Sequence, residues 1–300
     1  MRIGVSLASF HDVDDARDGA RFMVERTRAA AEAGLELLSV GDHHITGRPY
    51  YQNAAILGRL LADWDDRPAG CLYLVPLWPA VLMAEQIGTL ASIADGPFVA
   101  QTGLGGPASE SAAMGVDHRT RISRYEETVL VVRALLAGET VSSERLRIVD
   151  ARISPTPPQP AQWWIGAGAD VALDRAARLG DTWYAGPNLE PAEATERLAY
   201  FQAACERQGR EPPCLPIRRD VFVAASAEDA RRTGDELIAA GYRGMSGEAA
   251  VYGSPDQVAD RFSRLGDIGF TDVIVRQMAV PQALAVESYH LLGEVRALLA

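Results

Sequence analysis

The chain has 300 residues, 48% of them hydrophobic, and a formal charge of −11 at pH 7. That size and apolar share build a core without disulfide or metal staples, and the acidic balance argues against nucleic-acid and anionic-membrane partners. All 29 cationic residues are arginine, which excludes a Schiff-base lysine, a pyridoxal site and a P-loop lysine. The cysteines, Cys71, Cys205 and Cys214, are odd in number with no CxxC spacing, so the chain reads as reduced and cytoplasmic. The N-terminus turns polar too soon for a signal peptide, and no apolar run reaches the length of a membrane span.

In chain order, Ile3 to Ala8 reads as a buried strand, and Asp12 to Asp15 offer N-caps for a helix that Gly34 stops. A second strand, Leu35 to Val40, ends in Gly41-Asp42-His43-His44. A polar loop and a helix around Asn53 to Ala62 lead to a third strand, Cys71 to Val75, which Pro76 breaks. Pro79 opens a helix to about Ala94. The fourth strand, Phe98 to Thr102, breaks into Gly103–Pro107, and its helix runs to about Ala137. From Gly138 to Pro160 the alternation stops, with a hairpin arm at Arg145 to Val149 and a proline spacer. Strand five, Trp163 to Ile165, ends in Gly166-Ala-Gly168-Ala169. Strands at Asp181 to Tyr184, Ile217 to Ala224 and Asp272 to Arg276 follow, each with a helix. Gly241 to Tyr252 is a glycine-rich stretch and a candidate lid.

Eight apolar strands alternating with helices specify a parallel sheet buried on both faces. At this length the pattern predicts one α/β domain over residues 1–300, a single (β/α)8 barrel with insertions after strands four and seven. An open doubly wound sheet is the alternative, but its fingerprint glycines are missing after the first strand.

In a barrel the loops after the strands form the active site. There the chain places Asp42, His43 and His44, the glycines 103, 105 and 106, and Gly166 with Gly168 at a helix start, where free N–H groups suit a phosphate. A strand-end histidine beside an aspartate is a proton-handling pair. It also reads as a structural pair holding loop carbonyls. A metal site is the third reading, yet none of the five histidines stands in an HxH or HExxH spacing, so no metal is expected. Arg119, Arg121 and Arg124 read either as a solvated helix start paired with Glu126 and Glu127 or as an anion grip. GxSxG is absent. Glycines on one side, an apolar strand end on another and a helix N-terminus suit a flat phosphorylated cofactor.

These pieces, in this order, resemble the bacterial luciferase-like superfamily of flavin- or deazaflavin-dependent oxidoreductases. The carriers are Val40–His44, Gly103–Gly106 with Glu110–Gly115, Arg124–Glu127, Trp164–Ala169 with Ala176–Trp183, and Gly253–Val258. The resemblance runs over nearly the whole chain and implies a luciferase-like barrel. It implies that His43, with Asp42 beside it, is catalytic and faces the reactive ring atom. It implies that Cys71, Leu72 and Tyr73 back the ring, with a non-prolyl cis peptide at Cys71–Leu72 or Leu72–Tyr73. Gly103, Gly105 and Gly106 become ring-edge contacts. Gly166, Gly168 and Ala169 become the phosphate pocket, with Arg124 (partnered by Glu127) or Arg121 as a phosphate contact. The departures are Asp95-Gly96-Pro97 where many members have Gly-Arg, Trp78-Pro79 for His-Pro, and Asp170, an N-cap turned away from the phosphate.

The implied activity is coenzyme F420-dependent hydride transfer to or from a small-molecule substrate. The alternatives are an FMN-dependent monooxygenase supplied by a partner flavin reductase, and a flavin or deazaflavin carrier without turnover. The resemblance also implies a homodimer.

Overall fold

The computed structural model describes residues 1–300. In chain order the elements are β1 (Arg2–Leu7), α1 (Ala16–Glu32), β2 (Leu38–Val40), α2 (Asn53–Leu60), β3 (Ala69–Leu74), α3 (Ala80–Ile93), β4 (Phe98–Gly103), α4 (Ala108–Ala113) and α5 (Arg121–Leu136). A two-stranded hairpin follows, β5 (Val141–Ser143) and β6 (Ile148–Ala151). Then come β7 (Gln162–Gly166), α6 (Asp170–Leu179), β8 (Thr182–Tyr184), α7 (Pro191–Arg207), β9 (Pro216–Val223) and α8 (Ala227–Ala239). The chain closes with β10 (Val251–Gly253), α9 (Pro255–Ile268), β11 (Asp272–Gln277) and α10 (Gln282–Leu298).

Local chemistry sets the helix ends. The Asp15 carboxylate accepts the Arg17 N–H at the start of α1, and Gly34, at φ +72°, turns the chain out of it. Helix α9 starts on a reciprocal Ser254–Gln257 capping box followed by Pro255, and ends at left-handed Gly269.

All main-sheet pairings are parallel, in the order β10-β9-β11-β1-β2-β3-β4-β7-β8. The two ends of the sheet meet. Ala185, just after β8, bridges Ile217 of β9, its N–H donating to the Pro216 carbonyl and its own carbonyl accepting from Arg218. That bridge closes the ring and rules out the open doubly wound sheet. The eight strands read from the sequence are all present, and β10 is an extra strand against the C-terminal half of β9.

The principal core of 60 buried residues lies between the barrel wall and its helices, drawing on Val5, Val40, Cys71, Tyr73 and Ala100. Inside the barrel, Leu37, Val99, Trp164, Cys214 and Ile274 form a separate apolar plug. Towards the C-terminal strand ends the interior turns polar, with Gln101, Tyr184, Arg218, Asp220 and Arg276.

One expectation, the position of the cis peptide, needs correction, and two connecting segments take defined places. The hairpin β5–β6 lies on the outside of α5, with Ser143 donating to Glu127 and Arg145 to Ser123, while the Pro155 carbonyl packs over Gly88 of α3. It lines no part of the barrel mouth. The Gly241–Tyr252 stretch is not free: Tyr242 donates to Asp220, and the stretch ends in β10. The only cis peptide is Ser154–Pro155; Cys71, Leu72 and Tyr73 are trans, in unbroken register with Ala100, Gln101 and Thr102.

Candidate active site

The C-terminal strand ends surround a cavity of about 710 Å³, within the usual range for a small-molecule site. Phe10, Gly41, Asp42, His43, Arg48 and Tyr50 line one side. Leu72, Arg218, Arg243 and Arg276 line the rest.

Asp42, His43 and His44 lie in the loop that follows β2 and their side chains diverge. The Asp42 side chain is fully buried. Its Oδ2 accepts from the Leu74 N–H and the Trp78 indole N–H, both at 2.7 Å. Its Oδ1 lies 3.2 Å from His44 Nε2, and this pairing raises the His44 pKa above its ordinary value against the opposing effect of burial. Asp42 thus ties the loop after β2 to the end of β3, and its carboxylate faces His44 rather than His43.

The partner of His43 is Glu110, which the sequence reading quoted but did not place in the site. His43 Nδ1 lies 2.9 Å from Glu110 Oε1, with the imidazole half exposed on the cavity and the carboxylate nearly buried. Glu110 Oε1 also accepts the His44 N–H at 3.3 Å, and Oε2 accepts the Gly106 N–H at 2.9 Å. One carboxylate therefore stitches the loop after β4 to the loop after β2. A signal for it existed: an acidic residue four positions after a bare glycine can reach back to that glycine's N–H. Tyr50 stands edge-on to His43, with ring centroids 5.9 Å apart. Burial pushes its phenol pKa up to about 12, so it stays a neutral hydroxyl.

Of the β3 triplet, only Leu72 turns its side chain into the cavity. Cys71 and Tyr73 are fully buried in the core facing the helices, where desolvation raises both pKa values well above their ordinary range. Any ring contact they make is through backbone.

Across β3, β4 and β7, neighbours in the sheet, runs a shelf low in side chains. A Cβ on Gly103 would stand 3.5 Å from Leu74 and 4.0 Å from Leu72; one on Gly166, 3.2 Å from the Thr102 carbonyl; one on Gly168 would meet nothing within 4 Å. Gly105 takes φ +87°, which a side chain would strain. A Cβ on Gly106 would stand 2.7 Å from Glu110 Oε2 and would displace that carboxylate. Gly166, Gly168 and Ala169 are exposed and lead to the first turn of α6, where helix N–H groups lack intrahelical acceptors. Ala169, not Asp170, is the N-cap residue. The Asp170 carboxylate is drawn outward onto Arg197 of α7.

Arg121 and Arg124 do not join this group. Arg124 donates to the Pro76 carbonyl at 2.8 Å and Arg121 to the His118 carbonyl at 3.1 Å. Glu127 accepts from Ser143 and Glu126 pairs with Arg175 and Arg178, so the expected Arg124–Glu127 pair is absent. Both arginines brace loops. No three His, Cys, Asp or Glu side chains converge on a metal site, and no helix is long and apolar enough to cross a membrane.

The sequence matches the model of the luciferase-like monooxygenase family over residues 1–245. The chain belongs to this family. It is 28% identical over 175 residues to the F420-dependent glucose-6-phosphate dehydrogenase of Amycolatopsis mediterranei, covering 54% of this chain and 52% of that one. It is 24% identical over 232 residues to the F420-dependent hydroxymycolic acid dehydrogenase of Mycobacterium tuberculosis, covering 72% and 62%. The chain thus spans about half, or somewhat more, of the length of these relatives. The monooxygenase RslO1 of Streptomyces bottropensis superposes over 98% of both chains with a TM-score of 0.85 at 16% identity, a likeness of fold alone. The three are dehydrogenases or a monooxygenase by name, and so oxidoreductases.

Proposed function

We propose that the chain is a coenzyme F420-dependent oxidoreductase that moves hydride between the deazaflavin and a small organic substrate. The observation that carries the reading is His43, set on the cavity wall by the buried Glu110 carboxylate beside the glycine shelf of β3, β4 and β7. The F420-dependent relatives support this choice over FMN.

The residues present fit such a cofactor. Leu72 and Leu74 give a flat apolar backing, Gly103 and Gly166 leave the barrel rim bare, and the α6 N-terminus suits a phosphate or another anionic tail. Bound there, the cofactor supplies a hydride donor or acceptor at its ring. The protein supplies the proton path. A carboxylate acceptor fixes the proton of neutral His43 on Nδ1 and leaves Nε2 as the free base. When a substrate alcohol is oxidised, Nε2 takes the hydroxyl proton, and Glu110 stabilises the imidazolium that forms. In reduction the same nitrogen returns the proton. Tyr50, neutral across the working range, offers a second hydrogen bond on that side.

The test is a fluorescence titration of the purified protein with coenzyme F420 and with FMN, followed by mixing the F420 complex with a panel of alcohols and aldehydes. Saturable F420 binding and substrate-dependent bleaching are expected. His43→Ala should keep the binding and lose the bleaching. Tight FMN binding with no F420 binding would overturn the cofactor choice in favour of the monooxygenase reading. F420 binding with no bleaching across the panel supports the carrier.

A further inference from the structure

One wall of the cavity carries charge that the chemistry above does not use. Arg218 on β9, Arg276 on β11 and Arg243 on the turn after α8 all line it. Arg276 makes no hydrogen bond or ion pair with any protein group, although it sits within the electrostatic reach of Tyr50, Tyr184, Tyr242 and Arg218. Nε and Nη2 of Arg218 are buried without a hydrogen-bond partner; its nearest carboxylate oxygen is Asp220 Oδ1 at 3.4 Å. Asp220, fully buried, also receives Arg243 at 3.3 Å and the Tyr242 hydroxyl at 2.9 Å. Two guanidinium groups thus share one carboxylate, and the third, Arg276, has none. Arg48, the fourth cation lining the cavity, stands on the His43 side and is paired with Asp12, and the Asp42 carboxylate is engaged at the end of β3.

The chain as a whole carries −11, so this concentration of positive charge runs against its composition. A guanidinium removed from water without a partner is costly, and proteins hold one only where something else supplies the acceptors. The backbone points the same way. Arg243 sits at φ +51° between Gly241 at +80° and Gly244 at +63°, a conformation a non-glycine residue keeps only when its surroundings hold it there. Here the Tyr242 and Arg243 contacts with Asp220 hold it, and they aim the guanidinium over the mouth. The site is also remote from the shelf. In the ring of strands, β8 separates β7 from β9, and β1 and β2 separate β11 from β3.

We propose that Arg218, Arg243 and Arg276 are the recognition site for an oxyanion carried by the substrate, so that the substrates are carboxylates or phosphate esters. This rests on the oxidoreductase reading for the word substrate, but the anion site itself does not. Two or three forked donors converging on one pocket match the planar or tetrahedral oxygens of such groups. Anchored there, the substrate lies across the cavity from the shelf, with its far end towards His43.

The experiment titrates the purified full chain with inorganic phosphate and, separately, with acetate, against sodium chloride at equal ionic strength. Thermal unfolding is the readout, since a ligand of the native state raises its midpoint. One of the two anions should give saturable stabilisation beyond chloride, and which one does assigns the substrate's oxyanion. Arg276→Gln and Arg243→Gln should each weaken that anion about tenfold or more, the scale of one lost charge-assisted contact. Arg28→Gln, whose side chain pairs with Asp63 on the far surface, should change nothing. Arg276 and Arg243 are chosen because two nitrogens of Arg218 are buried, and circular dichroism verifies that both variants fold. Equal stabilisation of wild type and both folded variants, or none beyond chloride, would overturn the proposal. The same proteins are titrated with F420 and FMN. Variants that lose cofactor while keeping the anion would show that the arginines serve the cofactor, which also overturns it. Failure of wild type to bind either cofactor defeats the functional reading and leaves the anion result standing.

Discussion

Replacing Glu110 by Gln keeps the volume of the side chain and removes one of its two acceptor oxygens. Both are in use: Oε2 accepts from Gly106, and Oε1 faces His43 Nδ1 and the His44 N–H. The amide must therefore turn its NH2 against a donor on one side or the other. Leaving such a buried donor unpaired costs about 1–3 kcal/mol. On a chain of this size about 2 kcal/mol lowers the unfolding midpoint by roughly 3 °C. The functional loss should be larger than the stability loss. His43 loses the carboxylate that orients its ring, and a positioned general base is worth about 10²–10⁴-fold. Glu110→Gln should therefore cut kcat by at least about tenfold with cofactor affinity little changed. The decisive assay is the double variant with His43→Ala. If Glu110 acts through His43, the double variant turns over no more slowly than His43→Ala alone. Multiplicative losses, or wild-type turnover in Glu110→Gln, would refute the reasoning. Gly106→Ala should imitate Glu110→Gln, since its Cβ would lie 2.7 Å from Oε2.

Gly70→Ala places a Cβ 1.9 Å from the Val99 carbonyl oxygen, between paired strands that cannot part. A loss above about 3 kcal/mol in urea unfolding is expected, and a loss under about 1 kcal/mol would contradict the close approach of β3 and β4. Trp78→Phe removes one of the two N–H groups on Asp42 Oδ2 and should cost about 1–2 kcal/mol, read from the midpoint of the same urea transition. Burial, with the Arg26 charge behind it, lowers the His11 pKa to about 4. The unfolded chain therefore takes up a proton below its ordinary value near 6.5 while the folded chain does not. Stability should fall as pH drops from about 6.5 towards 4. After discounting for solvent screening the loss is about 1 kcal/mol between pH 7 and pH 5. His11→Gln should flatten that part of the profile, and an unchanged slope would count against the buried neutral imidazole.

The strands and helices were legible because their signals are local. Eight apolar runs bounded by Gly and Pro, with caps such as Asp15 and Ser254, need no tertiary information to read. The Gly103–Gly106 loop and the Gly166–Ala169 helix start were legible for the same reason, since a missing Cβ is a property of the residue itself. Partnership is not local. Asp42 and His43 are neighbours in sequence and part company in space, one bonded to the end of β3 and the other facing Glu110. Arg124 and Glu127 lie on the same helix and turn to different loops.

By itself the sequence determined the element order, the parallel sheet, the family and the loops that carry the chemistry. Only the tertiary structure decided that the sheet closes, through a single bridge between Ala185 and Ile217. It also decided that His43 meets Glu110 at a separation of 67 residues. And it gathered Arg218, Arg243 and Arg276 on one wall. None of these could be read earlier, because barrel closure sets which strand ends face one another, and no periodicity along the chain encodes which distant side chains then meet.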